Sequence, residues 1–452
     1  MNGNLSLLLL RLFIPIICCL IVCSCVDNDE ESVTDVVLPV KKEKKIAVLV
    51  TDESRERWER TLLWAADNIK RAQEGSDLQY EFKFDFMDED ATDLEVNSFV
   101  TKVLFDTSYV AMIGPETSEK AENIAQIFSN YEHQCQKDPI PLFLPIATSV
   151  DVQRKNVERD WLWCLSETNI TQSEMLLSVV QLYLNRYSKY SLDVYFLCTD
   201  DSYGESFSIW LPFVAAEFAI PIKGCVTIPS SATKEVLDQI VEEKIDGRNS
   251  LANVIVICSG NPEISVQINP LLEEKFPDKV FIPIFSDAMS PNRMGSQNTK
   301  WSNGIVVGAD PQYGFNVMYQ AKYDERPFCG ESQVYDALLL TWLSLCEQYY
   351  TRSKQSLTKS VEKITRQSSV NAKLNFTAQN LRQALANIKV GKNPDIAGAS
   401  GPFVFDAKYG TIRKNSNYTY WQNVGGNIEE IISLSKEYGL GESSAINSLG
   451  WQ

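Results

Sequence analysis

Apolar residues in this chain come in short unbroken runs, separated by longer stretches with a helical period. Residues 46–50, 110–113 and 141–146 are such runs. A strand covered on both faces reads this way. Between them, residues 55–72 place Trp58, Leu62, Ala65, Ala66 and Ile69 on one face, and residues 118–128 form the next helix. Residues 80–86 differ. There Tyr80, Phe82, Phe84 and Phe86 alternate with Glu81, Lys83 and Asp85, which predicts a half-buried strand. The alternation β-α-β-α-β predicts a parallel sheet with right-handed crossovers.

The pattern restarts after a helix over 171–185. A strand over 194–197 leads through Asp200-Asp201-Ser202-Tyr203-Gly204 into a helix reaching about Phe218, and further strands follow at 254–258, 281–285 and 304–307. Two such sheets in succession imply an α/β protein with two Rossmann-like lobes. The loops at the strand ends would line a ligand cleft between them. Beyond lies an apolar helix over 333–350, then a polar stretch over 351–376 that reads as a surface insertion. An amphipathic helix over 380–388 follows, and a hairpin is expected from 402–406 to 418–421, turning through Tyr409-Gly410.

The N-terminus changes the compartment. Residues 12–25 are uncharged but shorter than the ~20 residues a spanning helix needs. They follow Arg11 and end in Val22-Cys23-Ser24-Cys25, which resembles a bacterial lipoprotein signal with Cys25 as the lipid-bearing residue. A plain signal peptide or a short anchor is the other reading. The acidic run Asp27-Asn28-Asp29-Glu30-Glu31 then opens a polar tether over 26–45, and residues 436–452 read as a C-terminal tail. An acidic run this close to the cysteine resembles the surface-export signal of Bacteroides-group lipoproteins, and a solvated spacer is the alternative. The outer membrane, on either face, is the expected location.

A net charge of −17 repels phosphate backbones and argues against a nucleic-acid partner. With one histidine, His133, no His/Cys cluster at metal spacing and no phosphate-cradling glycine loop, neither an enzyme nor a cofactor is expected. Seven cysteines follow Cys25, an odd number at scattered spacing, which argues against a disulfide framework. Cys198 and Cys258 read as buried small hydrophobes, while a Cys135–Cys164 pair stays open.

Two turn motifs carry the candidate chemistry: Gly114-Pro115-Glu116-Thr117-Ser118 and Ala147-Thr148-Ser149, each after a buried strand. Backbone amides and small hydroxyls at such a strand-to-helix turn favour an anion. Ser118 and Thr148 could equally cap helices. These segments, with Asp200–Glu205, residues 319–323, Tyr335-Asp336-Ala337 and the run from Gly398 to Asp406, come in the order found in the type I periplasmic binding proteins. The chain resembles that family, the leucine/isoleucine/valine-binding group whose fold also forms receptor ligand-binding domains.

The resemblance implies a hinge-closing clamp with one lobe at 46–165 plus 307–395 and the other at 166–306 plus 396–435. It implies that Thr117, Ser118, Ala147 and Thr148 hold a ligand carboxylate. Tyr203 and Asn261 would contact the ligand from the second lobe, Asp287 would meet an ammonium group, and Trp58 would stand near the entry. The implied ligand is a small anion or zwitterion, such as an amino acid or short peptide, captured for an ABC permease or for sensing. Glu116 departs from the pattern, because a carboxylate there opposes a bound anion. That departure, with the charged Arg55-Glu56-Arg57 around Trp58, motivates the alternative of an envelope interaction module with a degenerate cleft.

Overall fold

The computed structural model describes residues 39–435, apart from 137, 190–191, 247–251, 292–300, 329, 367–371, 407–412, 415 and 425–426. The expectations for Cys25, the acidic run, the C-terminal tail and the Tyr409-Gly410 turn lie outside the described residues. Among the described residues no helix is long and apolar enough to cross a membrane.

The first apolar run becomes strand β1 (Val40–Val50), flanked by β2 (Leu78–Asp88) and β3 (Tyr109–Ile113). With β4 (Leu142–Leu144) and β5 (Leu162–Cys164) they form a parallel sheet in the order β2-β1-β3-β4-β5. Ile46, Val48 and Val50 enter one core while Ala47 and Leu49 enter another on the opposite face, so the run carries no polar position. Edge strand β2 packs Tyr80 and its phenylalanines on one face only, hence its alternation.

Helix α1 (Asp52–Ala72) covers one side, with α2 (Asp93–Phe105) and α3 (Ser118–Cys135) on the other. A short α4 (Val150–Lys155) follows β4. Strand β1 begins at Val40, so the last part of the expected tether is sheet, paired to β2 from Val40↔Leu78 onward.

The second lobe holds α5 (Asn169–Arg186), β6 (Leu192–Thr199), α6 (Ser202–Glu217), β7 (Gly224–Ile228) and α7 (Lys234–Lys244). It continues with β8 (Ala252–Cys258), α8 (Pro262–Lys275), β9 (Val280–Phe285) and β10 (Trp301–Gly308). The chain then returns to the first lobe. There α9 (Phe315–Tyr323), α10 (Glu331–Thr351), α11 (Leu357–Arg366) and α12 (Ala378–Lys389) complete the core around α1. Strands β11 (Asn417–Val424) and β12 (Asn427–Ser435) finish the second sheet, ordered β12-β11-β10-β9-β8-β6-β7.

Three expectations shift, and the open question of the Cys135–Cys164 pair is answered. The stretch 351–376 is not a surface insertion, because α11 buries Val361 and Ile364 in the core and Phe376 is fully buried. The C-terminal hairpin is β11–β12, while Pro402 and Phe405 make only isolated bridges to Ala397 and Arg413. The crossings also move: β10 keeps the second sheet to Gly308, and Ile396, Ala399 and Phe403 remain in the first core. Cys135 and Cys164 are both free, the first exposed and the second buried.

Beside the crossings, Arg413 N–H donates to Cys164 O at 3.1 Å. Ser416 and Glu167 exchange two bonds, N–H to Oε2 at 3.0 Å and N–H to Oγ at 2.9 Å.

Candidate functional site

Parallel strands aim their carboxyl ends at the gap between the lobes, and the loops there enclose a cleft of about 680 Å³. That volume suits a small molecule. Thr51, Asp52, Glu53, Asp90 and Glu116 to Lys120 line the first wall. Asp201, Tyr203, Ser230, Asn261, Glu263 and Asp287 line the second.

Two helix N-termini face the cleft from the first lobe, and a protein carboxyl group fills each. At α3, the N–H groups of Glu116 and Thr117 donate to Glu89 Oε2 and Oε1 at 2.6 and 3.0 Å. At α1, the hydroxyls of Thr51 and Ser54 donate to Glu116 Oε2 and Oε1 at 2.7 and 3.0 Å. Helix N-termini attract negative charge, and here carboxyl oxygens of the chain stand where a ligand anion would. Ser118 is also engaged, its Oγ accepting from Ser149 N–H at 3.2 Å. Of the groups expected to hold a ligand carboxylate, the Thr117 amide is therefore taken.

Glu89 is fully buried. Burial and the adjacent Glu116 charge push it up to about 8, against the pull of the two amides. An acid whose proton is held more tightly in the folded state than in the unfolded chain loses stability as pH rises from its ordinary value towards its folded one. Folding stability is expected to fall between about pH 4.5 and 8, by up to ~1.4 kcal/mol per pH unit from this group. Urea midpoints across that range should decline less in Glu89→Gln than in the parent chain.

The second wall is held by its own bonds. Asp201 caps α6, accepting from Gly204 N–H at 2.8 Å and from Thr199 Oγ1 at 2.6 Å. Asn261 caps α8, accepting from Glu263 N–H at 3.0 Å, and its amide donates to Ser230 O at 3.2 Å. The Tyr203 hydroxyl donates to Asp287, and the charge of that acid adds to burial in raising the phenol well above its usual range. Behind both, buried Gln172 accepts from Asp287 N–H and Tyr203 Oη at 3.3 Å each. Its Nε2 has no hydrogen-bond partner among the described residues.

Of the residues picked out from the sequence, Thr117, Ser118, Tyr203, Asn261 and Asp287 meet at this cleft. Ala147 and Thr148 are buried and outside its lining. Thr148 caps no helix either, since Ser149 is the N-cap of α4. Trp58 belongs to the first-lobe core, its ring fully buried, and does not reach the cleft. Glu89 escaped the sequence reading, because nothing local marks a carboxyl group that returns to amides 27 residues ahead.

Among solved structures, a leucine-binding protein from Thermotoga maritima matches with a TM-score of 0.60 at 14% identity, covering 87% of this chain and 99% of that one. This is the type I periplasmic-binding-protein fold. The fold is also matched by the branched-chain amino acid transporter substrate-binding protein of Streptococcus pneumoniae, solved with isoleucine (TM-score 0.57, 16% identity). That match covers 87% of this chain and 100% of the other. A solute-binding protein from R. palustris, solved with 4-hydroxybenzoate, gives 0.59 at 11% identity over 89% and 100%. No family model and no curated protein matches the chain. Within the type I fold the gap between lobes is where the cleft described above lies.

Proposed function

We propose that this chain is an extracytoplasmic solute-binding protein, lipid-anchored through Cys25, that closes its two lobes on one small molecule for transport or sensing. The observation carrying this reading is the cleft in which loops from both lobes meet at the carboxyl ends of the parallel strands of two sheets. Neighbours of the same fold are substrate-binding proteins of ABC transporters, which supports delivery to a permease. Asp287 on the second wall supports a solute bearing an amino group, such as an amino acid or short peptide. The filled amides of Glu116 and Thr117 count against a purely anionic one. The same filled amides favour, as a second reading, an envelope interaction module whose cleft has lost its ligand.

Thermal unfolding of the purified chain with amino acids, short peptides, sugars and polyols separates the two. One solute class is expected to raise Tm in proportion to the logarithm of its excess over Kd. No shift with any class, together with recovery of an envelope partner, would favour the module. In fractionated cells, Cys25→Ala is expected to leave the membrane fraction.

A further inference from the structure

We propose that the cleft takes a small organic polycation, an aliphatic diamine or polyamine, rather than an amino acid or an anion. This rests on the solute-binding reading and adds the charge of the solute. Four observations carry it.

The first is that a carboxyl group of the chain already stands at each of the two helix starts facing the cleft from the first lobe. Glu116 fills α1 through Thr51 and Ser54, and Glu89 fills α3 through two backbone amides. An entering carboxylate meets Glu116 on the way in and finds the amides of Glu116 and Thr117 already bonded to Glu89.

The second is the composition of the walls. Among the described lining residues eight are acidic and one, Lys120, is basic, against 59 acidic and 42 basic over the whole chain. The general acidity of the protein therefore does not explain the cleft. Lys120 itself is paired with Asp93 at 2.9 Å.

The third is placement. Asp52, Glu53 and Glu119 stand on the first wall, with Glu263 and Asp287 on the second. Closing the lobes on nothing brings like charges together. A cation with two separated amino groups reverses the sign of that term, because each ammonium meets one wall. Between the charges, Ile146, Pro262 and Ala288 offer apolar surface to a methylene chain.

The fourth is the donor geometry. Among the described residues no three His, Cys, Asp or Glu side chains converge as a metal ion requires. Dispersed carboxylates fit dispersed charges on a flexible chain.

Titration calorimetry of the full chain with spermidine and 1,4-diaminobutane, each compared with leucine, glutamate and magnesium chloride at fixed ionic strength, tests this. Spermidine is expected to bind one-to-one and saturably. The double variant Asp52→Asn/Glu263→Gln, one exposed acid from each wall, should bind it at least tenfold more weakly while keeping the Tm of the free protein. Preferential binding of leucine or glutamate would overturn the charge assignment and leave the solute-binding reading standing. Magnesium alone reproducing the spermidine signal would overturn the organic-cation assignment. Spermidine heats that do not saturate, or that the double variant leaves unchanged, would reduce the effect to general surface attraction and overturn it too. No binding by any of these probes or by the wider solute panel would remove both readings.

Discussion

Replacing Asp336 with alanine is expected to cost about 4 kcal/mol or more of folding stability. Asp336 lies in α10 and is completely buried. Its oxygens accept from Ala399 N–H at 2.5 Å, Ser400 N–H at 3.0 Å and the Ser400 hydroxyl. Arg413 Nη1, equally buried, stands 3.3 Å away, and its Nη2 donates to Pro402 O at 2.9 Å. Desolvation pushes the Asp336 carboxyl up and the Arg413 guanidinium down, while their mutual attraction opposes both shifts.

Removing one member strands a buried cation and two backbone amides, each costly without a partner. Replacing both, as in Asp336→Leu/Arg413→Met, should recover the part of the loss owed to the stranded guanidinium, while the Ala399 and Ser400 amides stay without their acceptor. Urea unfolding of the two variants checks this. Equal losses would show that the packing of the segment matters more than the ion pair. Since Asp336 belongs to the first lobe and Arg413 stands close before β11 of the second, the pair also fixes a segment that crosses between the lobes.

Gly114→Ala is expected to be nearly as damaging and to act directly on the cleft. Gly114 has φ +93°, and a Cβ built there would stand 1.9 Å from the carbonyl oxygen of Leu49 in β1. A neighbouring backbone cannot rotate away as a flexible side chain can. The added methyl must therefore push β3 from β1 or displace Glu116 and Thr117 from Glu89. Overpacking and left-handed strain together cost about 3 kcal/mol or more. Gly75 supplies the control. It has φ +76° but nothing within 4 Å of the built Cβ, so Gly75→Ala carries only the backbone strain, about 1 kcal/mol. A difference in Tm between the two variants isolates the clash, and near-equal values would refute it.

The fold was legible because parallel strands buried on both faces leave unbroken apolar runs. Those at 46–50 and 254–258 sit inside their sheets, and the 3.6-residue period of α1 follows directly from its one-sided packing. The hairpin was misplaced for a reason visible in the pairing. Tyr418 to Trp421 belong to a strand with a partner on each side, β10 and β12, so alternation alone could not choose the partner. The dipeptide Gly425-Gly426 between two strand-like segments was the available signal.

At the cleft, Glu116 stood out as a carboxylate where an anion was expected. Its role depends on Glu89, Thr51 and Ser54, which are remote in sequence and carry no motif. Two motifs that do stand out, around Asp336 and from Gly398 to Asp406, turn out to hold each other through the bonds from Ala399 and Ser400. Order along the chain gave no hint of that contact.

The interleaved path of the chain has a consequence for its biogenesis. One face of the first sheet is covered by α1 together with helices that begin only at Phe315, and the second sheet gains β11 and β12 only at its far end. While the ribosome is still upstream of these segments, neither half can seal its interior, and long apolar strand faces stay open. Native structure must wait for nearly complete synthesis. Until then, a holding chaperone has broad sticky surfaces to grip.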